Sequence, residues 1–188
     1  MVVVMKEQQK RIHPHKFTMW IALASIVMMF TGLTSAYIVK RNLANWISFE
    51  LPRIFWYSTA VIIISSLTIT ISRNNFRQRN MKQYRQWLLI TLLLGIAFVT
   101  MQYVGFTELW KSGITLTRNV SFSFLYIIIG LHALHLIGGI VALIIILIRA
   151  YSTKIKNYDI VPVDIVNTYW HFVDLLWIYL FVFLSLIR

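Results

Sequence analysis

Five long apolar stretches, separated by short polar and mostly basic connections, organise this chain. They run over residues 17–39, 54–72, 87–107, 120–148 and 169–187. A helix needs about 20 mostly apolar residues to cross roughly 30 Å of hydrocarbon, and all five stretches qualify. The fourth holds 29 residues, more than a crossing needs, so it must tilt or project beyond the bilayer. Residues 54–72 are rich in β-branched side chains, which in water would favour a strand. An open strand in lipid leaves backbone groups unpaired, so helix wins there too. The pattern predicts an all-α, polytopic membrane protein with five transmembrane helices. They form a single membrane domain over 1–188, with no internal repeat and no low-complexity tract.

Composition strengthens this reading. Of the 188 residues 59% are apolar and only 13% charged, against about 45–50% and about 25% in soluble domains. Mean hydropathy is +0.71. A soluble globule and a disordered tail are excluded. The lack of cysteine excludes a disulfide scaffold, an iron–sulfur cluster, thiolate-bound zinc or haem, and a cysteine nucleophile. The first apolar stretch is too long for a signal peptide and lacks a clear cleavage pattern.

The formal charge of +12 would suggest nucleic acid in a soluble protein. In a membrane protein a Lys/Arg excess sets orientation instead, so no nucleic-acid partner is expected. Twelve Lys and Arg fall in the amino end, the 73–86 loop and the 149–168 loop, and six on the opposite side. That bias places the amino terminus in the cytoplasm and the carboxyl terminus outside.

Small residues mark where helices can approach closely in lipid. Gly32 and Ala36 on the first helix, and Gly138 and Ala142 on the fourth, are spaced for such packing. Ionisable groups inside hydrocarbon call for partners or a function. His132 and His135 lie on the fourth helix, His171 and Asp174 on the fifth, each pair at i, i+3 and hence on one face. Gln102, deep in the third helix, is a candidate interhelical clamp. The histidines could ligate a metal or haem, or they could be buried members of a hydrogen-bonded polar seam, with Asp174 holding His171. Depth favours the seam. With a fifth helix starting at 169, His171 lies roughly 10–15 Å from the level of the other histidines at about 1.5 Å per residue. They approach only if that helix starts several residues earlier. Asp174, the one carboxylate within an expected span, reads as a proton-relay member or a polar clamp, and the clamp is preferred. His13-Pro14-His15 reads as an interfacial lead into the first helix. Arg73, Arg77, Arg79, Lys82 and Arg85 read as a solvated, headgroup-facing loop.

Longer strings are more specific than these single residues. Phe124 with Gly130-Leu131-His132-Ala133-Leu134-His135-Leu136-Ile137-Gly138, and Tyr169-Trp170-His171-Phe172-Val173-Asp174-Leu175-Leu176-Trp177, resemble subunit III of the haem-copper oxidases. Gly95, Phe98 and Gln102, and Thr34-Ser35-Ala36-Tyr37, are similar to that family too. The resemblance covers nearly the whole chain and matches the compact five-helix bacterial form.

The resemblance implies a non-catalytic accessory subunit of a proton-translocating terminal oxidase in the bacterial cytoplasmic (inner) membrane, part of aerobic respiratory electron transport. A cytochrome c oxidase is the first choice, although the choice between cytochrome c and quinol is made in other subunits. The chain itself would bind no metal, with haem and copper in the partner catalytic subunit I. Other oxidase subunits, a larger respiratory supercomplex and phospholipids are the implied partners. Family members hold phospholipid in a cleft between the first two helices and the rest, and they support proton uptake by the catalytic subunit. Gln102, His132, His135, His171 and Asp174 would then form the polar interior. Two positions depart from the pattern: Ile26 and Gly105 stand where many relatives carry Glu. That weakens a proton-antenna role and favours assembly and lipid packing. The competing readings are a stand-alone membrane b-type cytochrome and a small transporter. The transporter lacks the broken helices and inverted halves it would usually show.

Overall fold

A computed structural model describes residues 14–41, 52–113, 120–152 and 159–187. His13, Lys6, Lys10, Arg11, Arg118, Lys154, Lys156 and Arg188, which entered the readings above, lie outside the described residues. Five α-helices make up the fold: α1 (Pro14–Arg41), α2 (Ile54–Arg77), α3 (Met81–Lys111), α4 (Val120–Tyr151) and α5 (Val161–Leu186). Each is long and apolar enough to cross a membrane, and the described residues contain no strand.

Each helix outruns its apolar stretch at one end or both, and the physical reason is the same wherever it does. Hydropathy registers only the part that lipid must cover, whereas backbone hydrogen bonding continues into the polar interface. The expected 73–86 loop is therefore mostly helix. Only a turn separates α2 from α3, closed by Gln78 N–H to Asn74 O and Asn80 N–H to Asn75 O at 3.0 Å each. Arg79 sits in that turn at φ 62°, a left-handed conformation ordinarily left to Gly or Asn. Similarly, α5 begins at Val161 rather than 169. Pro162 stands in its first turn, and Asp159 accepts the Val161 N–H at 3.0 Å. Both are helix-start signals.

Every helix touches at least two others. α2, α3, α4 and α5 close a four-membered ring, and among the described residues α1 lies against α4 and α5 only. α5 is the hub. Half of its most apolar stretch is buried, against 28–39% for the others. Exposed Trp20, Met28, Trp56, Leu67, Leu134 and Leu186 face outward, as lipid-facing side chains do. Among the described residues α1 and α2 do not pack on each other.

Trp170, fully buried at the centre, sets the spacing of the ring. A Cβ on Gly95 of α3 would stand 2.8 Å from its ring, and one on Gly139 of α4 3.2 Å. Its indole N–H donates to Ser65 Oγ of α2 at 3.0 Å. One side chain of α5 thus fixes three neighbouring helices. Here the expected small-residue contacts move. Gly139, one residue on from Gly138, is the α4 glycine where a Cβ would be most crowded, whereas a Cβ on Gly138 would meet only Tyr169 Oη, at 3.7 Å. Gly32 is exposed, with nothing within 4 Å of a built Cβ. Ala36 and Ala142 are half-buried.

Candidate functional site

The interior polar groups assemble along the α2–α5 contact, because α2 offers a hydroxyl nearly every turn. Ser58, Ser65 and Ser72 repeat at seven residues and are fully buried, which places them on one helix face. Trp177 Nε1–H donates to Thr59 Oγ1 at 3.0 Å. One and a half to two turns along comes the Trp170–Ser65 bond, then His171. Its Nδ1 lies 2.6 Å from Ser66 Oγ and its Nε2 3.0 Å from Thr70 Oγ1.

Each ring nitrogen therefore faces a hydroxyl of α2, and because a hydroxyl can donate or accept, either neutral tautomer leaves both nitrogens satisfied. Thr70 Oγ1 also reaches Ser66 O at 3.1 Å. Asp174 lies about one turn further along α5. That carboxyl is 3% exposed, and neither oxygen has a hydrogen-bond partner among the described residues. Ser66, whose hydroxyl bonds His171, is its polar neighbour as well. Among the described residues Asp174 and His171 make no direct bond, and the serine stands between them.

The other seam residues face elsewhere. Gln102 Nε2–H donates to Ser58 Oγ at 2.8 Å, clamping α3 to α2, while its Oε1 is buried without a partner. His135 Nδ1–H bonds its own preceding turn at Leu131 O, 2.7 Å, and its ring meets Phe30 of α1 edge-on at 5.8 Å. Tyr169 Oη–H of α5 donates to His135 O at 2.9 Å. His132 is 1% exposed. It lies tilted on Trp177 at 5.1 Å and edge-on to Phe98 at 6.4 Å, with neither nitrogen hydrogen-bonded among the described residues.

These contacts correct the depth argument. The Tyr169–His135 bond puts His135 near the level of His171, because α5 starts eight residues early. The two are separated sideways instead: His171 faces α2 and His135 faces α1. Among the described residues, no three His, Cys, Asp or Glu come together as a metal-binding group.

Asp164 is the residue that sequence reasoning missed, hidden in the supposed 149–168 loop. In the first turn of α5 its carboxylate meets Lys16 Nζ of α1 at 2.9 Å and Arg73 Nε of α2 at 2.6 Å, with Arg77 at 3.9 Å. One anion therefore gathers three helices at the basic end of the bundle, and its place at a helix N-terminus adds to its stabilisation. Arg85 of α3 lies 5.0 Å over the Tyr151 ring of α4, tying the remaining pair. Of the expected solvated basic loop, Arg73, Arg77 and Arg85 are thus interhelical contacts. The available signal for Asp164 was an acid just after a proline at a helix start.

The two departures are filled by apolar packing. Ile26 packs against the core. A Cβ at Gly105 would lie 2.9 Å from Ile54 Cγ2 and 3.0 Å from the Phe55 ring, leaving no room for a glutamate.

Comparison with known proteins agrees with the strings noted above. The family model for cytochrome c oxidase subunit III matches residues 13–187. A protein of Nocardia farcinica named probable cytochrome c oxidase subunit 3 is 33% identical over 176 residues, covering 88% of this chain and 84% of the relative. A cytochrome bo(3) ubiquinol oxidase subunit 3 of Buchnera aphidicola is 29% identical, covering 90% and 92%. A probable quinol oxidase subunit 3 of Staphylococcus aureus is 29% identical, covering 89% and 86%.

Proposed function

The chain belongs to the cytochrome c oxidase subunit III family of the haem-copper oxidases, and from that premise we propose that it is a non-catalytic structural subunit of a proton-translocating oxidase. It docks beside the catalytic subunit in the bacterial cytoplasmic membrane, amino terminus inside. It binds phospholipid and keeps the catalytic subunit's proton uptake stable over many turnovers. Haem and copper reside in that partner. The electron donor we assign is cytochrome c, following the 33% identity to the Nocardia protein against 29% for the quinol relatives.

The observation that carries the accessory role is how the interior polar groups are spent. His171 has both nitrogens bonded to α2 hydroxyls, and Asp164 is enclosed by Lys16, Arg73 and Arg77. These are groups used to hold helices together, as polar side chains between membrane helices do. Gln102, which bonds Ser58 of α2 from α3, belongs to the same clamp. The experiment is removal of this chain from the assembled oxidase. Initial oxygen consumption with reduced cytochrome c should stay within a few-fold of normal, while activity decays in far fewer turnovers. Immediate loss of all turnover, or an unchanged lifetime, would contradict the proposal.

A further inference from the structure

Where α2 turns into α3, the surface opens into a groove of about 860 Å³, within the roughly 300–1,000 Å³ range of small-ligand sites. One wall is Ile71 and Asn74 of α2 with Gln78 just past its end, and the other is Gln83, Gln86, Trp87 and Ile90 of α3. Both sets repeat at three and four residues, so each is a single helix face. Both grade the same way, from amides beside the turn to aliphatic side chains deeper along the helix. Asn74, Gln78, Gln83 and Gln86 are exposed and Trp87 is half-buried. Among the described residues no Lys or Arg lines the groove, although five lie between residues 73 and 85. Arg73 and Arg77 turn to Asp164 and Arg85 turns to Tyr151, while Arg79 and Lys82 are exposed beside the turn, outside the lining.

The geometry points to a binding groove for a lipid with an uncharged, hydroxyl-rich headgroup, a glycosylated diacylglycerol. Amides both donate and accept, which matches sugar hydroxyls. The Trp87 indole offers an apolar face for the C–H side of a sugar ring. The graded walls orient an amphiphile, with its acyl chains along Ile71, Leu89 and Ile90. An anionic headgroup would call for cations in the lining, and a free sugar would leave the aliphatic floor uncovered. This assignment does not rest on the oxidase role.

The test uses the full chain with whatever subunits accompany it, in phosphatidylcholine nanodiscs. Diglucosyl diacylglycerol, phosphatidylglycerol, diacylglycerol and the free disaccharide are titrated, and bound ligand is read by native mass spectrometry. The glycolipid should bind at least tenfold more tightly than the other three. The double variants Gln83→Leu/Gln86→Leu and Gln83→Ala/Gln86→Ala, at exposed positions, should each remove that preference while leaving diacylglycerol unchanged. The inference is overturned by affinity that follows negative charge, by equal binding of the free disaccharide, by indifference to both double variants, or by a companion subunit filling the groove.

Discussion

The packing of Trp170 makes Gly95→Ala a sharp perturbation. The added methyl would stand 2.8 Å from Cη2 and 3.1 Å from Cζ2 of the indole. Carbon atoms are comfortable at about 3.5–4.0 Å, so the ring must retreat by roughly 0.5–1 Å. It has nowhere to go. On its other edge lies Gly139, where even a Cβ would stand only 3.2 Å from the ring, and Ser65 holds its N–H at 3.0 Å. Overpacking a filled interior costs about 1–3 kcal/mol. Losing the interhelical hydrogen bond adds about 0.6 kcal/mol on average in membranes. A loss of about 2–3 kcal/mol is expected, read by equilibrium unfolding of the purified chain in mixed micelles. Gly32→Ala is the control, because nothing lies within 4 Å of its Cβ, and it should stay within about 0.5 kcal/mol of wild type. The shorter ring of Trp170→Phe should absorb part of the Gly95→Ala cost, giving a coupling of about 1 kcal/mol in a double-mutant cycle. If Gly95→Ala is as harmless as Gly32→Ala, or shows no coupling to Trp170, the indole does not set the helix spacing.

Three further outcomes are expected. Asp164→Asn should destabilise the isolated chain by about 1–3 kcal/mol, measured in the same unfolding assay, while Lys16→Met costs less because Arg73 and Arg77 still face the carboxylate. Asp174→Leu should leave the isolated chain's stability unchanged or raised, since it removes a buried group without a hydrogen-bond partner. In the assembled oxidase it should loosen subunit association or shorten active lifetime, with Asp174→Asn milder, and an immediate collapse of proton uptake would make Asp174 a relay residue instead. A reporter active only outside the cytoplasm should work when fused after Arg188 and stay silent when inserted in the 78–80 turn; the reverse pattern would overturn the assigned orientation.

Helix number was legible in the sequence because lipid demands long apolar runs and nothing else covers them. Helix ends were not, since α2 and α5 continue through polar residues that hydropathy scores as loop. That error hid Asp164 and misplaced His171 in depth, even though Pro162 and Asp159 marked the true start of α5. Gln102, His171 and Asp174 were recognisable as interior groups, because a polar side chain in an apolar run must find a place inside. Their partners were not recognisable as such. Ser65, Ser66 and Thr70 look ordinary one at a time, and only the seven-residue repeat of Ser58, Ser65 and Ser72 announces a hydroxyl-bearing face. Gly139 rather than Gly138 meets Trp170 because helix rotation, which the sequence does not state, selects between adjacent glycines.

The central claim is membership of an oxidase as a subunit that carries no redox metal itself. It is tested most directly by purifying the tagged chain from its own membranes in mild detergent, then recording metal content and a reduced-minus-oxidised spectrum before and after subunit dissociation. Haem and copper should accompany the chain on a companion polypeptide and leave with that polypeptide. A chain that purifies without oxidase subunits, or keeps a stoichiometric haem or copper once alone, would contradict the claim.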